Sequence, residues 1–507
     1  MDEHDQTPGE LHPPTEPPSP TPGPPPDAGS RGAARLAWLV LLVVLPLVVV
    51  MQQLQAYGGP EVDKSKIAAP QGEDVEISAR LGTRVAYGYP PAASALQQQL
   101  DETVMTPLQE FRAAVAAGEL VGPEEAADRL DGVINDLEGG AKKYYYPGDP
   151  DDEARKAQLL TDAQTLRDYY RDIAESGDAA EALDDDVLEG IIERHGYFGE
   201  LARIAKLPED HELREELLDG AMPPLVLMTA MMVLIGVCIL AGLGLGITAI
   251  ILIAGKRVRV AMDRPMRGGS VYLESAVLFV VGFALISATQ TIAAQFGETA
   301  ELVAGLLGTL AQWLLLLVPL WPLLRGVSWG QLRDDLGLRA PKGVMVEILA
   351  GVGGYLALLP LLMAGVGIML VLLGVQELIF PSDPDAAGPS NPILEMARSL
   401  DPFILVLLFA LATIWAPLCE ELIFRGALFR HLRSRMAIPL AAILSALVFG
   451  MMHGYAGVQL IPVTVIGFNF ALIRAWRGSL YGCIVAHALN NAVVLTLLFA
   501  FAHVLFG

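Results

Sequence analysis

The residues best suited to chemistry lie in three short patterns in the last third of the chain. Glu420 and Glu421 stand side by side in APLCEELIFRGALFRHLRSR, residues 416–435, and Arg425 follows Glu421 by four positions. His453 closes a Phe-x-x-x-His pattern that begins at Phe449, and His487 opens a His-x-x-x-Asn pattern that ends at Asn491. Amide hydrolysis needs a base to take a proton from water, a group to hold that water, and donors for the developing oxyanion. Glu420 is the candidate base, because a carboxylate in a dry, apolar setting takes up a proton readily. His453, from a separate segment, could hold the same water and pass protons. His487 and Asn491 share a helix face at i and i+4, and an amide beside an imidazole suits an oxyanion. Glu421 and Arg425 are also one turn apart, and an ion pair there would compensate two charges and orient the helix. Glu420, His453 and His487 could alternatively hold a divalent metal, since Glu and His are common zinc ligands. No His-Glu-x-x-His, Gly-x-Ser-Gly or Gly-x-Gly-Asp pattern is present, and we favour metal-independent water activation by Glu420.

The elements that must position these residues are apolar. Hydrophobic residues make up 53% of the 507 and charged residues 18%, the balance of a multi-span membrane protein. Ionisable side chains at membrane depth are costly, so each of them marks a functional site by default. Apolar runs cover about 34–52, 222–254, 271–294, 300–324, 344–375, 402–424, 438–453, 457–473 and 479–505. The pair 438–453 and 457–473 is short against the roughly 20 residues of a span. It reads as a tight hairpin or a partly re-entrant segment. Basic clusters at Arg31–Arg35, Lys256–Arg267, Arg325–Lys342, Arg430–Arg435 and Arg474–Arg477 all fall on one side if there are nine spans. The loops between them, such as 376–401, are acidic. The positive-inside rule then makes the N-terminus cytoplasmic and places both residues 53–221 and the C-terminus outside.

The motifs Glu-Glu-x-x-x-Arg, Phe-x-x-x-His and His-x-x-x-Asn, each on its own apolar segment and in this order, resemble the CPBP family. These are the CAAX-processing and bacteriocin-processing intramembrane endopeptidases, also called the Abi family. The resemblance covers about residues 340–507. It implies an endopeptidase whose catalytic set is Glu420, His453, His487 and Asn491, with Glu421 and Arg425 completing the first motif. It also implies a protein or peptide substrate in the membrane, such as a prenylated CAAX tail or a small peptide. The family has been described both as metalloproteases and as glutamate-type enzymes. No cofactor is expected from it, with a divalent metal on Glu420, His453 and His487 as the open alternative.

We therefore expect an all-α, polytopic helical protein of the cell (inner) membrane with an inserted extracytoplasmic helical domain. Residues 1–33 form a Pro-rich, disordered cytoplasmic tail. Residues 34–52 read as an uncleaved signal anchor. Residues 53–221 carry 37 Asp and Glu against 16 Lys and Arg and show helical apolar spacing in 95–117, 127–137, 154–173 and 180–204. Residues 222–339 are membrane helices of unassigned role, and 340–507 form the protease-like core. The acidity excludes nucleic acid as a partner and leaves the bilayer and a peptide substrate. Cys238, Cys419 and Cys483 form neither a disulfide framework nor a zinc cluster. His195 and His211 read as solvated, His431 as interfacial and His503 as structural. The competing function is a non-proteolytic scaffold or immunity protein that keeps the motifs for structure. A transporter is the weaker third reading, since no internal repeat is visible.

Overall fold

The computed structural model describes residues 27–57, 73–101, 104, 106–139, 152–265, 269–379, 402–455 and 457–506. Among these residues every regular element is a helix. Most of the Pro-rich tail, residues 1–26, lies outside the described residues. The first helix, α1, runs from Arg31 to Tyr57. Its buried stripe Ala37, Leu41, Leu45 and Val48 repeats every three or four residues, so one face is pressed into the protein. The segment read as an anchor therefore belongs to the core, in the same apolar cluster as Cys419, Phe424 and Phe449.

Eight short and medium helices follow: α2 (Glu73–Gly88), α3 (Ala93–Asp101), α4 (Pro107–Leu120), α5 (Pro123–Glu138), α6 (Asp152–Ser176), α7 (Asp185–His195), α8 (Tyr197–Ile204) and α9 (Glu212–Leu218). Two of the expected helices are each split in two. Thr106 accepts a hydrogen bond from Gln109 N and Pro107 takes the first helical position, so a new helix starts where 95–117 read as continuous. Gly196, at φ 57°, breaks 180–204 between α7 and α8. These helices share one core built around Phe111, Leu130, Tyr170 and Phe198. His195 is part of it, 8% exposed, with Nε2 3.0 Å from Asp162 Oδ2, which corrects its reading as a solvated histidine. A buried ring nitrogen next to a buried carboxylate has to pair with it.

The membrane region comprises α10 (Met222–Ala254), α11 (Val271–Ala293), α12 (Glu298–Leu314), α13 (Trp321–Leu324), α14 (Trp329–Leu336), α15 (Val344–Ile379), α16 (residues 402–433), α17 (Ile438–Met451), α18 (Leu460–Arg477) and α19 (Tyr481–Phe506). Eight helical stretches are long and apolar enough to cross a membrane. The apolar helix α17 falls short, with 14 residues, or about 21 Å at 1.5 Å per residue. It lies antiparallel to α18 as a hairpin, joined by a turn in which Gly454 and Gly457 take φ values of 75° and 55°.

Cross-links gather several helix ends at one face. Ser30 N donates to Ser270 Oγ (3.2 Å), and Arg430 pairs with both Asp27 and Asp335 (2.8 Å each). Arg477 pairs with Glu347 (2.8 Å), and Leu480 N donates to Gly337 O (2.9 Å). The starts of α1, α11, α15, α17 and α19 thus meet the ends of α10, α16 and α18. This basic face holds the described residues of the Lys and Arg clusters noted above. The turn 452–455 and the described residues of region 73–220 lie away from this face.

Candidate active site

α16 carries the acidic motif, and it is not a regular helix. Residues 411–415 and 421–428 wind as π-helical turns, with α-helical residues between and beyond them. Pro417 has no N–H for the carbonyl of residue 413, which opens the ladder at the first of these turns. π-turns inside α-helices concentrate at functional sites. The second begins at Glu421 and contains Arg425.

Glu421 and Arg425 are both fully buried, and Arg425 Nη1 donates to Glu421 Oε1 at 2.8 Å. The second guanidinium branch, Nη2, donates to Gly467 O on α18 at 3.0 Å. Phe449 lies flat under the cation, 4.2 Å from its ring centre, a geometry that stabilises a desolvated guanidinium. Glu421 Oε1 also meets His487 Nδ1 at 2.9 Å. The Glu421 oxygen that takes the arginine N–H acts as an acceptor, so Nδ1 of His487 carries the proton and Nε2 points away from Glu421.

His453 is fixed in the same manner by its own helix. Its Nδ1 lies 2.8 Å from Phe449 O, a carbonyl that can only accept, so Nδ1–H donates and Nε2 faces outward. Both Nε2 atoms point at one target. Glu420 Oε2 is 3.9 Å from His453 Nε2 and 3.9 Å from His487 Nε2. That oxygen is enclosed and has no partner among the described residues. His453 meets Glu420 because α17 is short, 14 residues, and ends near the level of Glu420.

Phe449 touches Arg425 and both histidines. Its ring packs 4.5 Å from His453 and, edge to face, 5.8 Å from His487, besides holding Arg425. Phe470 stacks on the other side of His487 at 5.1 Å. Asn491 is one turn beyond His487 as expected, but its amide Nδ2 donates to Ala412 O in the first π-turn at 2.8 Å. It ties α19 to α16 instead of pairing with His487. The supporting groups that motif reading did not supply are Gly467, Phe470 and Ala412. Of these, two act through backbone carbonyls, which leave no trace in sequence.

The spacing of Glu420 to His453 and to His487 is wider than that of two ligands on one metal ion. Two ligands on one tetrahedral zinc at 2.0–2.1 Å stand roughly 3.3 Å apart, closer than the 3.9 Å found here. Among the described residues no group of three or more His, Cys, Asp or Glu could hold a metal ion. His431, read as interfacial, is instead buried (2% exposed) against Trp38, with Nδ1 close to Arg435 Nη1. Cys419 and Cys483 are buried and free. An apolar groove of about 390 Å³ runs along α16 past Phe409, Thr413 and Ile414 to Phe499 of α19.

Comparison with known proteins bears on the same segment. Residues 402–493 match a family described as Type II CAAX prenyl endopeptidase Rce1-like. Over 107 residues the chain is 32% identical to a protein of Mycoplasma capricolum subsp. capricolum described as "Uncharacterized protein", covering 20% of this chain and 31% of that one. Over 105 residues it is 30% identical to "Putative membrane peptidase YdiL" of Bacillus subtilis (strain 168), covering 21% of this chain and 41% of that one. The chain thus spans less than half the length of these curated relatives. No solved structure matches it.

Proposed function

We propose that the chain is an intramembrane endopeptidase that cuts a membrane-associated or lipidated protein or peptide with water activated by Glu420, a reading supported by the match of residues 402–493 to a Rce1-like endopeptidase family and by the identity to a protein described as a membrane peptidase. One observation supports this most: Glu420 Oε2 lies 3.9 Å from the Nε2 of both histidines. That is too long for a direct hydrogen bond. A single water at 2.6–3.2 Å from each group would see Glu420 and either imidazole at roughly 90°, close to its own preferred angles.

Glu420 takes one proton of that water as it attacks the scissile carbonyl, and His453 Nε2 holds the other. His487, with its Nδ1–H fixed by Glu421, offers Nε2 toward the reacting centre. When it is protonated, that N–H donates to the oxyanion while Glu421 balances the added charge. Asn491 holds α19 in register through Ala412, and its amide is the second donor within one turn. Glu420 then passes its proton to the leaving amine.

Activity in the full chain would be tested with Glu420→Gln. Proteomes of parent and variant cells are compared for proteins that accumulate uncut. A peptidase loses its phenotype in the variant and accumulates substrate. A scaffold keeps both its partners and its phenotype, and that outcome would sink the catalytic reading.

A further inference from the structure

We infer that Tyr355 and Asn490 are positioning residues of the reaction. They set the amide of Asn491 through a hydrogen-bond relay that runs from α15 across α19 into the first π-turn of α16. The inference rests on the peptidase reading, and it adds two residues that the three motifs do not name.

The relay ends on an orphaned carbonyl. The N–H of Ala416, which an α-helix would give to Ala412 O, donates to Leu411 O instead. The next donor at π spacing would be residue 417, a proline without an N–H. Ala412 O therefore depends on a donor from outside its helix, and Asn491 Nδ2 supplies one at 2.8 Å.

A backbone carbonyl only accepts, and that fixes every group behind it. Asn491 presents its nitrogen to Ala412, so its Oδ1 faces the other way and accepts from Asn490 Nδ2 at 3.3 Å. Asn490 then turns its own Oδ1 toward α15, where it accepts from the Tyr355 hydroxyl at 3.1 Å. Tyr355 is 9% exposed and Asn490 7%, so neither can readily trade its partner for solvent. A buried polar group that loses its partner is costly, and asparagines in membrane helices bond across to neighbouring helices.

The consequence for the site is orientation. An amide with one N–H on Ala412 and its oxygen on Asn490 cannot flip. Its second N–H keeps a fixed direction on the helix face that Asn491 shares with His487, one turn away. That is the N–H available to an oxyanion. Tyr355 is the donor at the head of the chain. Without its hydroxyl, Asn490 Oδ1 is left unpaired and the Asn490 amide is free to turn end for end. Its oxygen would then face the oxygen of Asn491, and Asn491 would lose the contact that holds it.

The test uses the detergent-purified full chain. Tyr355→Phe removes one oxygen and keeps the ring, so it is the variant least disturbed in folding, and Asn490→Leu breaks the relay at its centre. The chain has five asparagines, so isotope labelling of asparagine alone gives a sparse set of side-chain amide signals, and Asn491→Ala identifies the one from Asn491. In Tyr355→Phe that signal is expected to move, although Asn490 stands between the two residues. Turnover is measured on a palmitoylated, internally quenched peptide. In Tyr355→Phe and Asn490→Leu kcat is expected to fall by about 10-fold to 100-fold, as for a misplaced catalytic group, with KM near the parent's. A residue that only packs would change the melting temperature and leave the Asn491 signal and kcat per folded molecule as they were, and that result overturns the inference. A moved signal with parental kcat also overturns it and leaves the peptidase reading intact. If the parent cleaves the peptide no faster than Glu420→Gln, the peptidase reading falls and takes this inference with it.

Discussion

At the scale of single residues, the adjacent glutamates are unequal because the helix points them at different partners. Glu421 Oε1 receives both Arg425 Nη1 and His487 Nδ1, whereas Glu420 Oε2 is left free between two imidazoles. Glu420→Gln is isosteric and removes no bonded partner. It should melt like the parent and lose cleavage. Glu421→Gln strands a buried guanidinium, which costs about 3–5 kcal/mol when one partner of a buried pair is removed. It should lower the melting temperature of the detergent-purified protein and free His487 to rotate, so stability and activity fall together. Combining it with Arg425→Met should recover much of the stability but not the activity. Equal melting of Glu421→Gln and the parent would show that the pair is not holding the helix. Phe449→Leu probes the shared ring. Loss of a desolvated cation–π contact alone removes on the order of 2 kcal/mol, and His453 and His487 both lose a wall. Thermal stability should drop, with cleavage reduced more than the drop in folded fraction explains. An unchanged melting temperature would mean that the ring carries no such energy.

At the scale of elements, the site depends on helices that come unusually close. Gly351 of α15 meets Gly482 of α19, where a methyl group on Gly351 would sit 2.6 Å from the Gly482 Cα. That contact sets the position of α19, and with it His487 five residues on. Gly242 of α10 is equally tight against Leu356 O of α15, but α10 carries none of the site. Small residues let membrane helices approach to backbone contact. Gly351→Val should therefore displace α19 and abolish cleavage in protein that still inserts. Gly242→Val should cost stability while leaving cleavage per folded molecule near the parent. Both would be read by melting temperature and turnover in detergent, and equal loss of turnover would refute the distinction. The π-turns of α16 belong to this scale too. Pro417 hints at the first, whereas the second contains Gly426, packed close to Leu336 and Leu480, and no local pattern in the sequence announces it.

For the whole molecule, the acidic helical region brings a titratable pair into an otherwise apolar core. Burial lowers the His195 pKa below 6.5, only partly offset by Asp162. Burial also opposes ionisation of Asp162, but hydrogen bonds from His195, Arg194 and Gln158 outweigh it and hold its pKa below 3.8. In both cases the unfolded chain binds more protons than the folded one. Stability is then complete above about pH 6.5 and falls as the pH drops, first through His195 and later through Asp162. Limited proteolysis of region 73–220 in the intact protein should accelerate between neutral and mildly acidic pH, and His195→Gln should flatten the upper part of that response. A profile unchanged by the substitution would place the sensitivity elsewhere. Composition and spacing by themselves determined the membrane-spanning helices, the basic face and the residues able to do chemistry, because hydropathy, charge and i, i+4 spacing are local properties. Glu421 and Arg425 needed nothing more than one helical turn. Only the tertiary structure decided that Glu421 also holds His487, 66 positions away. The same is true of α1 as part of the core and of the burial of His195 and His431. Each of these depends on which distant surfaces pack together, and the chain acquires that information only when its helices assemble.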